Sequence, residues 1–197
     1  MKKIIKAIVP KKYHYSLRRI KYGLTDGYST KSYSQEGEDM ILKSFFGNKL
    51  KGFYVDVGAC HPMRFSNTYI FYNMGWRGIN IDATPGSMRL FNKFRKRDLN
   101  LEQAISNSSQ NMTYYIFNER ALNTFCKDFV EKRLDSGIHN LVDSVNMTPR
   151  TLREVLDEYL PSDCEIDFLS IDVEGLDFEV LMSNDWNKYR PTMVLVE

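Results

Sequence analysis

The sequence predicts an α/β domain built on an open, mostly parallel sheet. Short runs of β-branched and aromatic residues alternate with amphipathic segments, a pattern typical of βαβ units. The chain has 197 residues, 43% of them hydrophobic, which fits one soluble globular domain. Its three cysteines form no CxxC pair, so neither a disulfide framework nor a structural zinc site is indicated. We therefore expect a reducing, cytoplasmic setting.

The first half of the chain alternates helices with strands. Glu36–Phe46 begins acidic and turns apolar, as an amphipathic helix does. Gly52–Gly58 reads as a buried strand that ends in a tight turn, and Asn67–Met74 as the helix after it. Gly78–Asp82 is the second strand. Pro85–Arg95 follows as a helix, with proline in its first turn, where a missing N–H costs little.

The second half is less regular before it returns to the same alternation. Leu99–Ile105 is the third predicted strand, and Met112–Phe117 is an antiparallel or edge strand. Ala121–Met147 has mixed polarity and is predicted to be irregular. Because irregular connections of this length are often functional, we expect the segment to be a substrate lid. Thr151–Leu160 is an amphipathic helix that Pro161 closes. A strand, a short helix and a fifth strand then follow at Asp167–Val173, Leu176–Met182 and Thr192–Glu197.

The distribution of charge along the chain predicts a basic arm at residues 1–30 and a single domain at residues 31–197. Residues 1–22 carry eight basic side chains and no acid, whereas the other 175 residues hold 19 basic and 25 acidic groups. The acidic body argues against nucleic acid as a partner. We interpret the arm either as a solvated terminus or as a segment that contacts anionic lipid at a membrane surface. A secretory signal is not indicated, because Lys6 interrupts its short apolar stretch.

Acidic or small polar residues recur where the predicted strands end. In open α/β sheets, ligands bind outside the carboxyl ends of the strands. Gly58 follows the first strand directly, and Asp82 ends the second, 26 residues after Asp56. That offset is close to the one expected for an acid that binds ribose hydroxyls. Because the G-x-G-x-x-G cradle and the phosphate loop are both absent, a nucleoside without phosphates fits best, and S-adenosylmethionine is the common one.

Six motifs then follow one another through most of the chain. They are Tyr33–Asp39 (YSQEGED), Gly52–Ala59 (GFYVDVGA), Ser66–Thr68 (SNT), Gly75–Asp82 (GWRGINID), Asp167–Gly175 (DFLSIDVEG) and Arg190–Pro191. In these motifs the chain resembles FkbM-type methyltransferases, a class I family dependent on S-adenosylmethionine. The resemblance implies a sheet in the order 3-2-1-4-5 and O-methylation of a hydroxyl, often on a sugar or a polyketide.

The resemblance also implies a set of site residues. The turn at Asp56, Gly58 and Ala59 would hold the methionine part of the cofactor, with Gln35 and Thr68 as further contacts. The ribose diol would lie against Asp82, the adenine beside Gln103 and Ala104, and the transferring methyl opposite Asp172 and Glu174.

Two features depart from the family's pattern. Cys60 stands where the family usually has Asn, and a thiol is the poorer hydrogen-bonding group, which predicts a weaker cofactor site. The fold normally has two more strands after the fifth, whereas the fifth predicted strand here contains the last residues of the sequence. We therefore expect that the domain is truncated at its C-terminal end. An exposed fifth strand would then favour an oligomer or a partner that covers it.

The catalytic roles stay open on the sequence alone. His61 follows the cofactor turn and is either a general base or a loop histidine hydrogen-bonded beside Pro62. Asp172 and Glu174 point the same way at a strand end, where they could act as a base or hold a cation. Glu174 could equally cap the next helix. No metal ligand set is assigned.

The sequence therefore leaves three functions open. The leading one is an S-adenosylmethionine-dependent O-methyltransferase that acts on a glycan or another small-molecule hydroxyl. The second is a non-catalytic module of the same fold that binds a partner enzyme. The third is a nucleotide-sugar enzyme in which Asp172 and Glu174 hold a metal diphosphate.

Overall fold

The computed structural model describes Pro10, residues 13–24 and residues 30–197. The chain divides into two compact units, Met1–Lys31 and Ser32–Glu197. The first unit contains helix α1, His14–Leu24. Most of the basic arm lies outside the described residues, so its contact with lipid stays a prediction. Of the helices in the described part of the chain, none is long and apolar enough to cross a membrane.

The second unit alternates strands and helices. Its helices are α2 (Glu38–Phe46), α3 (Tyr69–Asn73), α4 (Met88–Phe94), α5 (Lys127–Asp135), α6 (Leu152–Tyr159) and α7 (Asp177–Met182). Its strands are β1 (Phe53–Val57), β2 (Arg77–Asp82), β3 (Leu99–Glu102), β4 (Met112–Phe117), β5 (Leu141–Met147), β6 (Phe168–Ile171) and β7 (Met193–Val196). A 3₁₀ turn at Arg120–Leu122 follows β4.

Five strands form one parallel sheet in the order β3-β2-β1-β6-β7. The α/β class and the parallel sheet are confirmed. The order counted along the chain is not the expected 3-2-1-4-5, because two further strands intervene after β3. These are β4 and β5, which pair with each other as a separate antiparallel sheet. The strands predicted at Asp167–Val173 and Thr192–Glu197 are β6 and β7.

Both faces of the parallel sheet are covered, which explains why β1 is buried along its whole length. Its odd-numbered residues, such as Val55, pack in a cluster with Leu152 and Val155 of α6. Its even-numbered Tyr54 lies on the opposite face, in a cluster with Phe71 of α3. Helices on both faces leave the carboxyl ends of the strands as the place where a ligand can enter.

The prediction that Ala121–Met147 is irregular was wrong. The segment contains the 3₁₀ turn, helix α5 and strand β5, which runs antiparallel to β4 from Met112↔Met147 to Phe117↔Leu141. Strand β5 is mostly exposed, so it lacks the alternation of apolar and polar residues that marks a half-buried strand. Its backbone ladder with β4, rather than apolar burial, holds it in place.

Two predicted boundaries also moved. Helix α4 begins at Met88 rather than at Pro85, because Gly86 has a φ of +75° and interrupts the right-handed helix. Strand β3 ends at Glu102 rather than at Ile105, which instead forms an isolated bridge with Arg150. Both changes occur at the carboxyl edge of the sheet, where the chain turns around the candidate site.

Candidate active site

A cavity that is open to solvent lies at the carboxyl ends of β1, β2 and β6. The segment between β3 and α6 contributes Tyr114, Asn123 and Phe125 to its wall. The predicted site residues that line it are Gln35, Gly58, Asp82, Gln103, Asp172 and Glu174. The structure thus brings together six residues that are far apart in the sequence.

Gly58 makes the tight turn that the sequence predicts after β1. Its φ is +86°, and a Cβ atom built on it would lie 1.6 Å from the carbonyl oxygen of Asp172. Its N–H donates to the Ile81 carbonyl at 2.9 Å. The absence of a side chain therefore lets the ends of β1, β2 and β6 converge on one point. Ala59 is buried beside this turn, against Met88 and Phe91, and is not a wall residue.

Two backbone amides orient the carboxylate of Asp82. The N–H of Cys60 donates to one oxygen at 3.0 Å, and the N–H of Thr84 donates to the other at 2.8 Å. Burial raises the pKa of Asp82, while these hydrogen bonds favour the ionised form. Each carboxylate oxygen can accept a further hydrogen bond. Asp82 can therefore receive a pair of hydroxyl donors from the cavity.

Cys60 takes part in this arrangement through its main chain. Its φ is +49°, a left-handed conformation that few non-glycine residues adopt. Burial, followed by the nearby charge of Asp82, raises the pKa of its thiol to about 12. The thiol is therefore protonated at neutral pH and is not an activated nucleophile.

Gln103 and Ala104 close the side of the cavity next to β3. The N–H of Gln103 donates to the Asp82 carbonyl at 3.0 Å, and its side-chain amide donates to the Ala104 carbonyl at 3.1 Å. Ala104 is buried, and its carbonyl also accepts from the N–H of Arg150. Only Gln103 of this pair lies on the wall.

Asp56 and Thr68 lie beneath the wall rather than on it. The Thr68 hydroxyl donates to the Asp56 carboxylate at 2.9 Å, and both residues are buried. Burial raises the pKa of Asp56 to about 6, although Thr68 and the charge of Arg95 oppose the shift. In this structure the two residues are buried behind the turn after β1 and do not line the cavity.

Arg95 is a residue that the sequence analysis missed. Its guanidinium is fully buried and pairs with Asp98 at 2.8 Å. It also donates to the Pro62 carbonyl at 2.9 Å and to the Thr68 hydroxyl at 2.9 Å. Arg95 thereby ties the loop after β1 to Asp56. Its sequence context, FRKRD, resembles a solvated charge run and gives no signal of burial.

His61 is not placed with the other predicted catalytic residues. Its Nδ1 accepts hydrogen bonds from the N–H groups of Met63, at 3.1 Å, and Arg64, at 3.0 Å. Burial, with the positive charges of Arg64 and Arg120, lowers its pKa. His61 does not line the cavity. The geometry matches the loop histidine that was the alternative to a general base.

Asp172, Glu174 and Glu197 form an acidic cluster at the mouth of the cavity. One carboxylate oxygen of each lies within 4.8 Å of the others. Partial burial, a hydrogen bond with Glu197 and the neighbouring negative charges raise the pKa of Asp172. Because Asp172 is an exposed residue, the contact with Glu197 is the cause best supported by its position. The raised pKa keeps a proton shared within the cluster near neutrality.

Glu174 is held differently from the other two acids. Its carboxylate forms an ion pair with Arg133 of α5, and its backbone has a left-handed φ of +57°. Its carbonyl accepts from the Thr124 hydroxyl at 2.7 Å. These contacts anchor the segment after β4 to the end of β6. Oxygen clusters of this kind can hold a divalent cation, but one of the three carboxylates is already neutralised.

A second space, also open to solvent, adjoins the acidic cluster. Gln35, Phe65 and Asp172 belong to the walls of both spaces, and Asn67 contributes an amide to the second. Asp172 therefore lies, with Glu197, at the junction between the two spaces.

The molecule thus has an α/β fold with a cavity at the carboxyl ends of its parallel strands, lined by Asp82 at the end of β2. The family model described as "Methyltransferase FkbM domain" matches residues 56–197. The chain thus belongs to the FkbM methyltransferase family, as its motifs predicted, and is a methyltransferase. No curated protein and no solved structure matches it.

Proposed function

We propose that the protein transfers a methyl group from S-adenosylmethionine to a hydroxyl group of a sugar or glycan. The family implies use of this cofactor. The observation that carries the proposal is Asp82, whose carboxylate is fixed by two amides at the edge of the main cavity. A carboxylate held in this way at the end of the second strand suits a ribose diol.

The main cavity fits the cofactor in its donor set as well as in its position. Gln103 offers an amide beside the place where a ribose on Asp82 would continue into adenine. The acidic cluster offers negative charge for an ammonium group at the opposite side. When bound, S-adenosylmethionine supplies an activated methyl group.

The adjoining space supports a polyhydroxylated acceptor. Its walls carry the carboxylates of Glu36 and Glu38 and the amides of Gln35 and Asn67. Carboxylates and amide oxygens accept hydrogen bonds from hydroxyl groups, and the amide N–H groups donate to them. The exposed ring of Phe65 adds one apolar surface. This mixture is suited to a neutral sugar better than to an anionic one.

Asp172 is the residue best placed to accept the hydroxyl proton. It lies on the walls of both spaces, and its ionised form, which the raised pKa makes abundant only as pH rises above neutrality, can accept the proton of a hydroxyl within reach. Positioning of the acceptor hydroxyl between the two spaces supplies a large part of the remaining rate enhancement. Glu174, which is paired with Arg133, would orient the surrounding loop.

The cofactor half of the proposal is tested by calorimetric titration with S-adenosylmethionine and S-adenosylhomocysteine. We expect binding by the unaltered chain and a loss of at least about tenfold in affinity for Asp82→Ala, since two hydroxyl contacts to a charged group disappear. Asp143→Ala, on exposed β5, is the matched control and should bind normally. Equal binding by Asp82→Ala and the control would contradict the proposed ribose site.

The acceptor half is tested by methyl incorporation into a panel of neutral, amino and acidic sugars. We expect transfer to a neutral sugar and a fall of about 100-fold or more in kcat for Asp172→Asn, the usual range for a lost general base. Tight cofactor binding with no transfer to any sugar would favour the non-catalytic module. Binding of a nucleoside diphosphate sugar with Mn²⁺ would favour the third alternative.

A further inference from the structure

We infer that Arg120 binds the α-carboxylate of the amino-acid part of the cofactor, and that it is therefore the residue that recognises this group. The inference rests on the proposed function, because it assigns a subsite within the same cavity. It concerns a residue that lies outside every motif on which the sequence analysis depended.

Arg120 is the one basic residue among those that line the main cavity in the described part of the chain. The other charged residues of this wall are acids: Asp82, Asp172, Glu174 and Glu197. A carboxylate that entered the cavity elsewhere would meet like charge at close range, which is unfavourable. Only the surface next to Arg120 offers an anion a charged hydrogen-bond donor.

The guanidinium of Arg120 is not used by the protein itself. Within residues 30–197 it has no hydrogen bond and no ion pair, although its carbonyl accepts from the Asn123 N–H at 3.1 Å. The adjacent acid, Glu119, pairs with Arg64 at 3.4 Å instead. Arg120 therefore keeps its five donors for a ligand, and its planar group can contact both oxygens of a carboxylate.

The turn that carries Arg120 is fixed relative to the predicted ribose site. The side chain of Asn123 accepts from the Phe117 N–H at 2.8 Å and donates to the Thr84 hydroxyl at 3.0 Å. Thr84 in turn donates its N–H to Asp82. A short chain of hydrogen bonds thus joins the anchor of Arg120 to the carboxylate at the end of β2. The backbone of the turn is thus fixed, whereas the exposed side chain of Arg120 is ordered only when a ligand binds.

Arg120 lines the same cavity as the three acids of the cluster. The proposed function places the amino-acid part of the cofactor beside the loop after β1, and Asp172, Glu174 and Glu197 line the same cavity with carboxylates within 4.8 Å of one another. A zwitterion can then place its ammonium near the acids and its carboxylate near Arg120. The charge pattern of the wall complements that of the ligand.

The test compares two ligands that differ only in the carboxylate. S-adenosylhomocysteine carries it, and its decarboxylated counterpart keeps the ammonium group alone. We expect Arg120→Gln to raise the Kd for S-adenosylhomocysteine about tenfold or more, as loss of a charge-assisted bond does. The Kd for the decarboxylated ligand should change by less than about threefold, because no bond to it is lost. Arg77→Gln, at the opposite end of β2, should change neither value.

The possible outcomes are distinct. An equal change for both ligands, or no change for either, would overturn the assignment of Arg120 while leaving the proposed function intact. An unchanged Kd for both, with a raised KM only for acidic sugars, would assign Arg120 to the acceptor and overturn the inference as well. Failure of the unaltered chain to bind S-adenosylhomocysteine would overturn the proposed function and this inference with it.

Discussion

The backbone N–H of Cys60 donates a hydrogen bond of 3.0 Å to the carboxylate of Asp82, so that the loop after β1 orients the acid at the end of β2. This contact depends on the left-handed backbone of Cys60 and not on its thiol. The thiol of Cys60, at a position where the resemblance leads us to expect Asn, therefore takes no part in this contact.

Replacement of the thiol should accordingly have little effect on cofactor binding. We expect Cys60→Ala to change the Kd for S-adenosylhomocysteine by less than about threefold, since a thiol is a weak hydrogen-bonding group. Cys60→Asn introduces a residue that tolerates the left-handed φ of +49°, so it should fold at least as stably. Calorimetry and thermal unfolding of both variants test this, and a tenfold weaker Kd for Cys60→Ala would show that the thiol contacts the ligand.

Gly58→Ala should destabilise the fold severely. The new Cβ would lie 1.6 Å from the Asp172 carbonyl oxygen, at a φ of +86°, so β1 and β6 must separate. We expect a loss of more than about 3 kcal/mol in the free energy of unfolding, measured by urea denaturation. Gly137→Ala is the matched control, because Gly137 has a φ of +67° with no atom within 4 Å and should lose only about 1 kcal/mol. Equal losses would mean that backbone strain alone, without the clash, accounts for the effect.

The sequence predicted the parallel sheet well because burial on both faces leaves a strong pattern. Every residue of β1 is buried, and its apolar run has few other interpretations. Gly58 and Asp82 were found because turn chemistry and strand ends are local features. By contrast, β5 is stabilised by its backbone hydrogen bonds with β4. Its side chains are mostly exposed and do not alternate between apolar and polar, so its sequence does not indicate a strand.

The parts of the site that were missed depend on long-range contacts. Arg95 stands in a charge run that looks solvated, yet its partners include Tyr54, which is 41 residues away in the sequence. Arg120 lies between the strand predicted at Met112–Phe117 and the segment Ala121–Met147, and nothing local marks it as a wall residue. A single sequence records which residues are charged, but the packing of distant elements decides which charges are buried or face a cavity.

The stability of the fold should depend on the ionisation of Asp56. Burial raises its pKa from 3.8 to about 6, so the folded state binds a proton more tightly than the unfolded state does. The free energy of unfolding is therefore expected to fall as pH rises from about 4 to about 6, by up to about 3 kcal/mol.

Asp56→Asn isolates that contribution, because its amide oxygen can still accept from the Thr68 hydroxyl. Urea denaturation at pH 4 and pH 7.5 should show the variant gaining stability relative to the unaltered chain as pH rises. A difference that is constant with pH would mean that Asp56 titrates in the folded protein as it does in the unfolded chain.

Arg95 should be among the residues whose loss costs most stability. Arg95→Met would leave the Asp98 carboxylate without its guanidinium partner, in a place where both side chains are fully buried. Breaking such a pair on one side costs about 3–5 kcal/mol. The exposed Lys96, next to Arg95 in the chain, is the matched control, and Lys96→Met should change the free energy of unfolding by less than about 0.5 kcal/mol. The double variant Arg95→Met/Asp98→Asn should recover part of the loss, because it removes the unpaired charge. Urea denaturation of the four proteins separates these effects, and a double variant that is less stable than Arg95→Met would show that Asp98 stabilises the fold through its other contacts.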